Sequence, residues 1–486
     1  MPTFNKRTPG VYIEEVPNLP PSITAVATAI PVFIGYTERE TDPDGVTLIN
    51  RPVRITSRMQ YQDIFGPAKA RKIEFEIEQT KFEASGSVDN SIKYKGGKPA
   101  VPEDFLPYSI QLFYDNGGGP CYVISIGKKP NVFAQKRFED AIDVLEKLDE
   151  PTLIVFPDAA HGSNTQYCKI ADRALAHCAK MQDRFAVIDV PGALGSVADV
   201  DKLVGDFRTA ISNNLDQRKY GAAYFPYLQT SLPIHTSDPD IKIVKHKVKT
   251  QKEDGSTTAA ADGGMLNKTM DAKEVKEDET AVYDALKGLV AEAYVTLPPS
   301  AAVAGVYARV DAKRGVFKAP ANESIDALGT DIEITNDLNA TLNVDPGSGK
   351  SINVIRKFTG KGILVWGART LAGNDRENRY VPVRRFLIYA EESIKKAIDV
   401  FVFEPNNANT WVKVRSMIEG FLLREWRAGA LMGAKPQDAF YVTVGLNKTM
   451  SAQDVLDGYM IVEIGLAIVR PAEFIILRFV QKMPVS

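Results

Sequence analysis

The sequence predicts a multidomain α/β protein, α+β in part, and three observations carry that reading. Strand-type and helix-type segments alternate between residues 121 and 190, the pattern of a parallel-type sheet with covering helices. Two polar, alternating stretches, 69–98 and 236–279, interrupt this layer and read as surface hairpin insertions. Both ends carry short apolar strands set apart from the rest. Near the start these are Val11, Tyr12, Ile13 and Glu14; near the end, Phe474, Ile475, Ile476, Leu477, Arg478 and Phe479.

The first strand is bounded by Pro9-Gly10 and Pro17, and a stiff Pro-rich stretch, 17–21, holds it away from the body. Residues 25–36 read as a buried strand. Residues 52–57 give a short strand and a helix cap, with Tyr61, Ile64 and Phe65 on one face of the helix and Gly66 as its stop. A helix over 105–116 is closed by Gly117-Gly118-Gly119. Strand 121–126, helix 133–148, strand 152–156, helix 166–181 and strand 185–190 follow. After the second insertion, 278–293 returns as a helix. The last strand, 473–481, is apolar on both faces and must pair in its own sheet or a neighbour's.

The chain has 486 residues, enough for two or three domains. A net charge of -2 supplies no global attraction to nucleic acid or membrane, so any electrostatic partner must meet a local patch. Three cysteines, Cys121, Cys168 and Cys178, suit folding in a reducing cytoplasm rather than a disulfide framework. The N-terminus lacks the apolar core of a signal peptide. The apolar region 459–480 is cut by Glu463, Arg470, Glu473 and Arg478, which argues against a membrane span.

No motif makes a convincing active site. Gly347-Ser348-Gly349-Lys350-Ser351 resembles a phosphate loop, but Val344 stands where the first glycine belongs and strand-like residues follow instead of a helix. Gly117-Gly118-Gly119 follows a helix and precedes a strand, the reverse of a dinucleotide fold, and reads as a helix stop. Asp158, His161 and Ser163 share a loop without a nucleophile elbow, so helix capping by Asp158 or Ser163 outweighs a hydrolase triad. His161, His177, His235 and His246 do not meet cysteines at metal-ligand spacing. No cofactor and no metal is expected.

Residues 411–428 form a helix. At about 100° per residue, Trp411, Val414, Ile418, Phe421 and Leu422 share one face. Lys413, Arg424 and Arg427 gather opposite, with Gly420 among them. This is either a solvated face balanced by Glu419 and Glu425 or a basic stripe for an acidic surface.

Ordered stretches then point to a family. They include Pro298-Pro299-Ser300, Gly305-Val306-Tyr307-Ala308-Arg309-Val310-Asp311, Asn353-Val354-Ile355-Arg356, Trp366-Gly367-Ala368-Arg369-Thr370-Leu371, Phe403-Glu404-Pro405-Asn406 and Arg470-Pro471-Ala472-Glu473-Phe474. Together with Pro9-Gly10-Val11-Tyr12-Ile13-Glu14-Glu15 and Ile34-Gly35-Tyr36 they resemble the contractile tail sheath family of bacteriophages, pyocins and extracellular contractile injection systems. The resemblance thins over 69–98 and 236–279. It implies a non-enzymatic structural subunit polymerising as stacked six-fold rings around an inner tube, metastable when extended, and contracting to drive the tube through a target envelope. It implies an arm at 1–22, an outer α/β region at 23–360 and a tube-facing C-terminal domain at 361–486. Both terminal strands would be exchanged with neighbouring copies. The tube contact is carried over to Lys413, Arg424 and Arg427, while Arg369, Arg384 and Arg385 are expected to brace the domain. Implied partners are neighbouring copies of the same chain, the inner tube, baseplate and terminator or cap proteins, and sheath paralogues, with no nucleic acid and no membrane insertion. The subunit would be made and assembled in the bacterial cytoplasm and act in a virion tail or a released particle. The competing readings are a tube or baseplate component of the same machine and an α/β enzyme, which an ATPase assay with Lys350→Ala would reveal.

Overall fold

The computed structural model describes residues 23–192 and 200–477. The proposed first strand and Arg478 and Phe479 of the last lie outside the described residues. Among the described residues the chain forms two compact units: 27–192, 200–389 and 470–477 make the larger, and 23–26 with 390–469 the smaller.

The larger unit is built on a nine-stranded sheet. Its six inner strands run in the order Ile352–Phe358, Gly221–Phe225, Phe185–Asp189, Leu153–Val155, Pro31–Gly35, Cys121–Ser125, and every neighbouring pair is parallel. The α/β reading holds, and the cause is local. Val32-Phe33-Ile34, Leu153-Ile154-Val155 and Ala186-Val187-Ile188 are wholly buried, as strands covered on both faces must be. Helices Leu106–Asp115, Gln135–Val144, Asn164–Met181 and Ser300–Arg314 pack on these strands. Antiparallel strands Pro52–Ile55 and Gly362–Val365 flank the six, the latter paired with Ile352–Phe358 and followed outward by Glu323–Ser324. The strand Gly362–Val365 therefore belongs to this sheet, although a boundary at 361 would give it to the C-terminal domain. Ile363 and Leu364 are apolar enough to extend the sheet that Ile352–Phe358 begins.

One buried carboxylate ties the sheet to a helix. Asp189, at the end of its strand, accepts hydrogen bonds from Ser300 N (2.7 Å) and Ser300 Oγ (2.6 Å), capping the helix Ser300–Arg314. Burial pushes its carboxyl up to about 7, against the lowering effect of those two bonds. A pKa raised in the fold favours the protonated form, so this contribution is whole at acid pH and fades as pH rises from about 4 through 7. Asp189→Asn keeps one acceptor and cannot ionise. Chemical denaturation at pH 5 and pH 8 should show the parent losing more stability than this variant between the two; equal losses would contradict the assignment.

The two insertions form one sheet rather than two separate hairpins. Ile73–Phe82 and Val88–Tyr94 are an antiparallel hairpin, and Ile241–Gln251 joins it parallel to Ile73–Phe82, with Ala261–Asp262 beyond. Phe75, Ile77 and Ile243 are buried along one face. On the other, Lys245 meets Glu76 (3.7 Å) and Glu78 (2.9 Å), so the charge alternation is a cross-strand ladder. A lone hairpin is marginal in water, and pairing supplies the shared apolar face.

In the smaller unit, the helix Ala408–Arg427 is capped by Asn407, whose side chain accepts from Asn409 N and Thr410 N. It ends at Gly429, where φ is 87° and a glycine costs least. Its buried stripe, Val414, Met417, Ile418, Phe421 and Leu422, matches the sequence pattern except that Trp411 is only half-buried and Met417 joins the stripe. The helix packs against Phe440–Val444, which pairs antiparallel with Val462–Leu466.

Candidate assembly surfaces

The hairpin of the smaller unit is an unfinished sheet. Phe440, Val442 and Val444 stand opposite Leu466, Ile464 and Val462 on one face, with Val442 and Val444 buried. Tyr441 and Glu463 stand opposite Gly465 and Thr443 on the other, where Tyr441 Oη donates to Glu463 Oε1 at 2.7 Å. Among the described residues no third strand joins the pair, so both outer edges keep free backbone donors and acceptors. A concavity of about 560 Å³ lies between the helix and this hairpin, lined by Arg415, Glu419, Leu423, Phe440, Tyr441 and Val442 among others.

The chain ends leave from fixed roots. At the start, Ile23 is buried, its carbonyl accepts from Arg424 Nη2 at 2.6 Å, and Val26 N donates to Ser393 Oγ at 3.2 Å. At the end, Val469 N still bonds Ala430 O, and Glu473 is then gripped in the larger unit. Arg369 donates Nε to Oε1 (2.9 Å) and Nη2 to Oε2 (2.5 Å), Asn343 Nδ2 donates to Oε1 (2.6 Å), and Tyr380 Oη donates to Oε2 (3.1 Å). Beyond it, Phe474, Ile475, Ile476 and Leu477 are 70–80% exposed and form no strand among the described residues. Four consecutive large apolar side chains in water are what a strand without its partner looks like.

On the helix Ala408–Arg427, Lys413, Arg424 and Arg427 are all exposed. Lys413 and Arg427 make no ion pair among the described residues, while Arg415 pairs with Glu419 at 2.7 Å. Arg424 differs from the other two, because its guanidinium holds the Ile23 carbonyl.

The chemistry-like motifs have structural work. Lys350 is buried and donates Nζ to Arg208 O (2.5 Å) and Ile211 O (2.7 Å), closing the C-terminal end of the helix Val200–Ala210, and a strand follows it. Asp158 accepts from Tyr36 N (2.8 Å) and Phe105 N (2.5 Å); burial, then the nearby Asp104 charge, push its carboxyl up to about 7. His161 lies 3.7 Å from it, stacked on Phe105, and burial pushes its imidazole down to about 3, leaving it neutral. Ser163 caps the helix Asn164–Met181 in a capping box with Gln166. Gly117, at φ 97°, stops the helix before it. Cys121, Cys168 and Cys178 are buried free thiols. Among the described residues no group of three or more His, Cys, Asp or Glu is placed to hold a metal, and no helix is long and apolar enough to cross a membrane.

Residues 374–482 match the phage tail sheath C-terminal domain. Over 99% of both chains, the fold is similar to the sheath complex of an extracellular contractile injection system, PVC, in its contracted state, at 28% identity and a TM-score of 0.62. The C-terminal part of the chain thus matches a phage tail sheath domain, and the chain as a whole is similar to contractile sheath proteins. Two further neighbours come from the anti-feeding prophage. Its helical sheath in the contracted state is 28% identical over 98% of this chain and 99% of that one, with a TM-score of 0.61. Its baseplate in the contracted state contributes a chain 25% identical over 97% and 98%, with a TM-score of 0.63. Comparison with curated proteins finds no match.

Two of the arginines expected to brace the domain sit deep in the larger unit. Arg385 is bound to Asp311 (Nη2 to Oδ2, 2.5 Å) with both side chains buried, and Arg384 lies over the Tyr220 ring at 4.5 Å while donating to its hydroxyl. The sequence does not single out the contact between Arg369 and Glu473, although Arg470-Pro471-Ala472-Glu473-Phe474 is one of the sheath-like stretches.

Proposed function

We propose that this chain is a sheath subunit that polymerises as a helical, six-fold-ring cylinder around an inner tube. It is held extended in a metastable state and contracts to drive the tube through a target envelope. The observation that carries this is the pairing of supply with demand. A four-residue apolar run, Phe474 to Leu477, stands in water, while a two-stranded hairpin keeps both edges open. In this reading a neighbour's C-terminal strand, Phe474 through Phe479, completes one edge. Another neighbour's N-terminal strand, Val11 through Glu14, completes the other, by β-augmentation. Main-chain hydrogen bonds then tether the copies while contacts between their bodies are remade on contraction, so that no nucleotide is consumed.

The region around 361–486 would lie next to the tube, with Lys413, Arg424 and Arg427 toward it, and the joined insertions would lie outward. Screened charges suit a face that must let go on firing. Baseplate and terminator or cap proteins would bound the cylinder. Assembly in the bacterial cytoplasm, with action in a virion tail or a released particle, fits the contracted neighbours, which come from extracellular or prophage particles. Negative-stain microscopy of the protein co-expressed with its tube tests the reading. Cylinders, long and extended or short and wide, are expected, and dispersed single molecules would refute it.

A further inference from the structure

Polar and apolar work are divided sharply at the C-terminal root. Val469 is still hydrogen bonded within the smaller unit, and four residues later Glu473 is held in the larger one. Its carboxylate accepts from three side chains, two of them charge-neutral (Asn343 and Tyr380) and one the bidentate Arg369. Burial raises the Glu473 carboxyl, but the Arg369, Asn343 and Tyr380 hydrogen bonds outweigh it and hold the group below the ordinary range.

Arg369 is itself fixed. Asn353 Oδ1 accepts from Arg369 N at 2.7 Å, and Asn353 Nδ2 donates to Arg369 O at 2.7 Å and to Ala223 O at 3.2 Å. Asn353 is fully buried on the strand Ile352–Phe358, so the grip runs into the nine-stranded sheet. Gly367 lets the loop lie this close, since a Cβ there would come within 2.7 Å of Asn353 Oδ1.

We propose that the Arg369–Glu473 pair is the anchor of the donated C-terminal strand. It transfers tension in that strand to the nine-stranded sheet of the donor instead of to the donor's own two-stranded hairpin. The proposal rests on the strand donation set out above. A hairpin of two five-residue strands frays easily, whereas strands in the interior of a nine-stranded sheet open only with the core around them. A salt-bridged clamp lying ahead of the first donated residue puts the strong element where the load arrives.

The test uses Glu473→Ala and the isosteric Glu473→Gln, with the deletion of residues 474–486 as a separate arm. A spin label at Ile475→Cys reports the root in the unassembled subunit; it is selective because all three native thiols are buried. Both Glu473 variants should sharpen the spectrum, Ala more than Gln. Their sheaths should form, yet break into short pieces at a denaturant concentration that leaves parental sheaths whole. The intact fraction should fall about tenfold, the scale of losing one charge-assisted hydrogen bond. Glu473 variants whose label mobility or sheath integrity equals the parent's overturn the anchor. If the deletion itself still yields sheath, strand donation fails instead, so the two failures are separable.

Discussion

Deleting residues 474–486 is expected to abolish sheath formation while leaving the subunit folded. The described residues of the removed segment, Phe474, Ile475, Ile476 and Leu477, are 70–80% exposed and lie outside the subunit's core. The root at Glu473 survives the cut. Unfolding free energy should therefore change by no more than about 0.5 kcal/mol, as for surface changes away from packed or strained sites. Assembly should respond without compromise. Each copy would lose a full edge of strand pairing, and with it the apolar area those side chains carry. At roughly 1.5–3 kcal/mol for each large apolar side chain buried, four of them exceed what any surface ion pair in the lattice supplies. Sedimentation should find the truncated chain monomeric, with an unchanged thermal transition, even beside its tube. A truncated chain that still built cylinders would mean that the exposed run serves some other contact. Milder disruption should grade the effect: Ile476→Asp alone places one charge in the middle of the donated strand and should slow growth more than it shifts the unfolding midpoint.

Why some of this was readable from residues alone, and some not, follows from the range of the forces involved. Val32-Phe33-Ile34 and Leu153-Ile154-Val155 announce buried strands because burial on both faces demands consecutive apolar residues. The stripe on Ala408–Arg427 is similarly written in its period, and Ser163 and Gln166 spell out their capping box in four residues. Pairing between distant segments has no such local code. Nothing within 69–98 or 236–279 states that Ile241–Gln251 lies parallel to Ile73–Phe82, since each insertion carries turn signals of its own. The same limit hid the place of the strand Gly362–Val365 in the large sheet, though its residues read as strand-like, and the grip of Arg369 on Glu473 across 104 positions. It also hid the second task of Arg424. A helical wheel places that residue beside Lys413 and Arg427, but only the fold shows its guanidinium on the carbonyl of Ile23, at the base of the N-terminal arm.

That second task decides which charges to reverse. Lys413→Glu with Arg427→Glu is expected to leave the subunit folded and able to pair with its own kind, yet unable to grow along the tube. Neither side chain is buried or ion-paired among the described residues, so the change in subunit stability should again stay within about 0.5 kcal/mol. If an acidic tube surface faces this helix, two reversals per copy turn attraction into repulsion, repeated at every subunit along the cylinder. The parental interaction should weaken with salt, because exposed charges are screened over about 8 Å at physiological ionic strength. Raising salt should thus shorten parental sheaths on tubes and rescue the double variant in part. Arg424→Glu belongs in a separate experiment, since it also frees the Ile23 carbonyl and would confuse loss of tube contact with loss of the arm's seat. Co-expression followed by microscopy, together with pull-down on immobilised tube, measures the effect. Full-length extended particles from the Lys413→Glu, Arg427→Glu chain would remove this face from the tube contact and leave it an ordinary solvated helix surface.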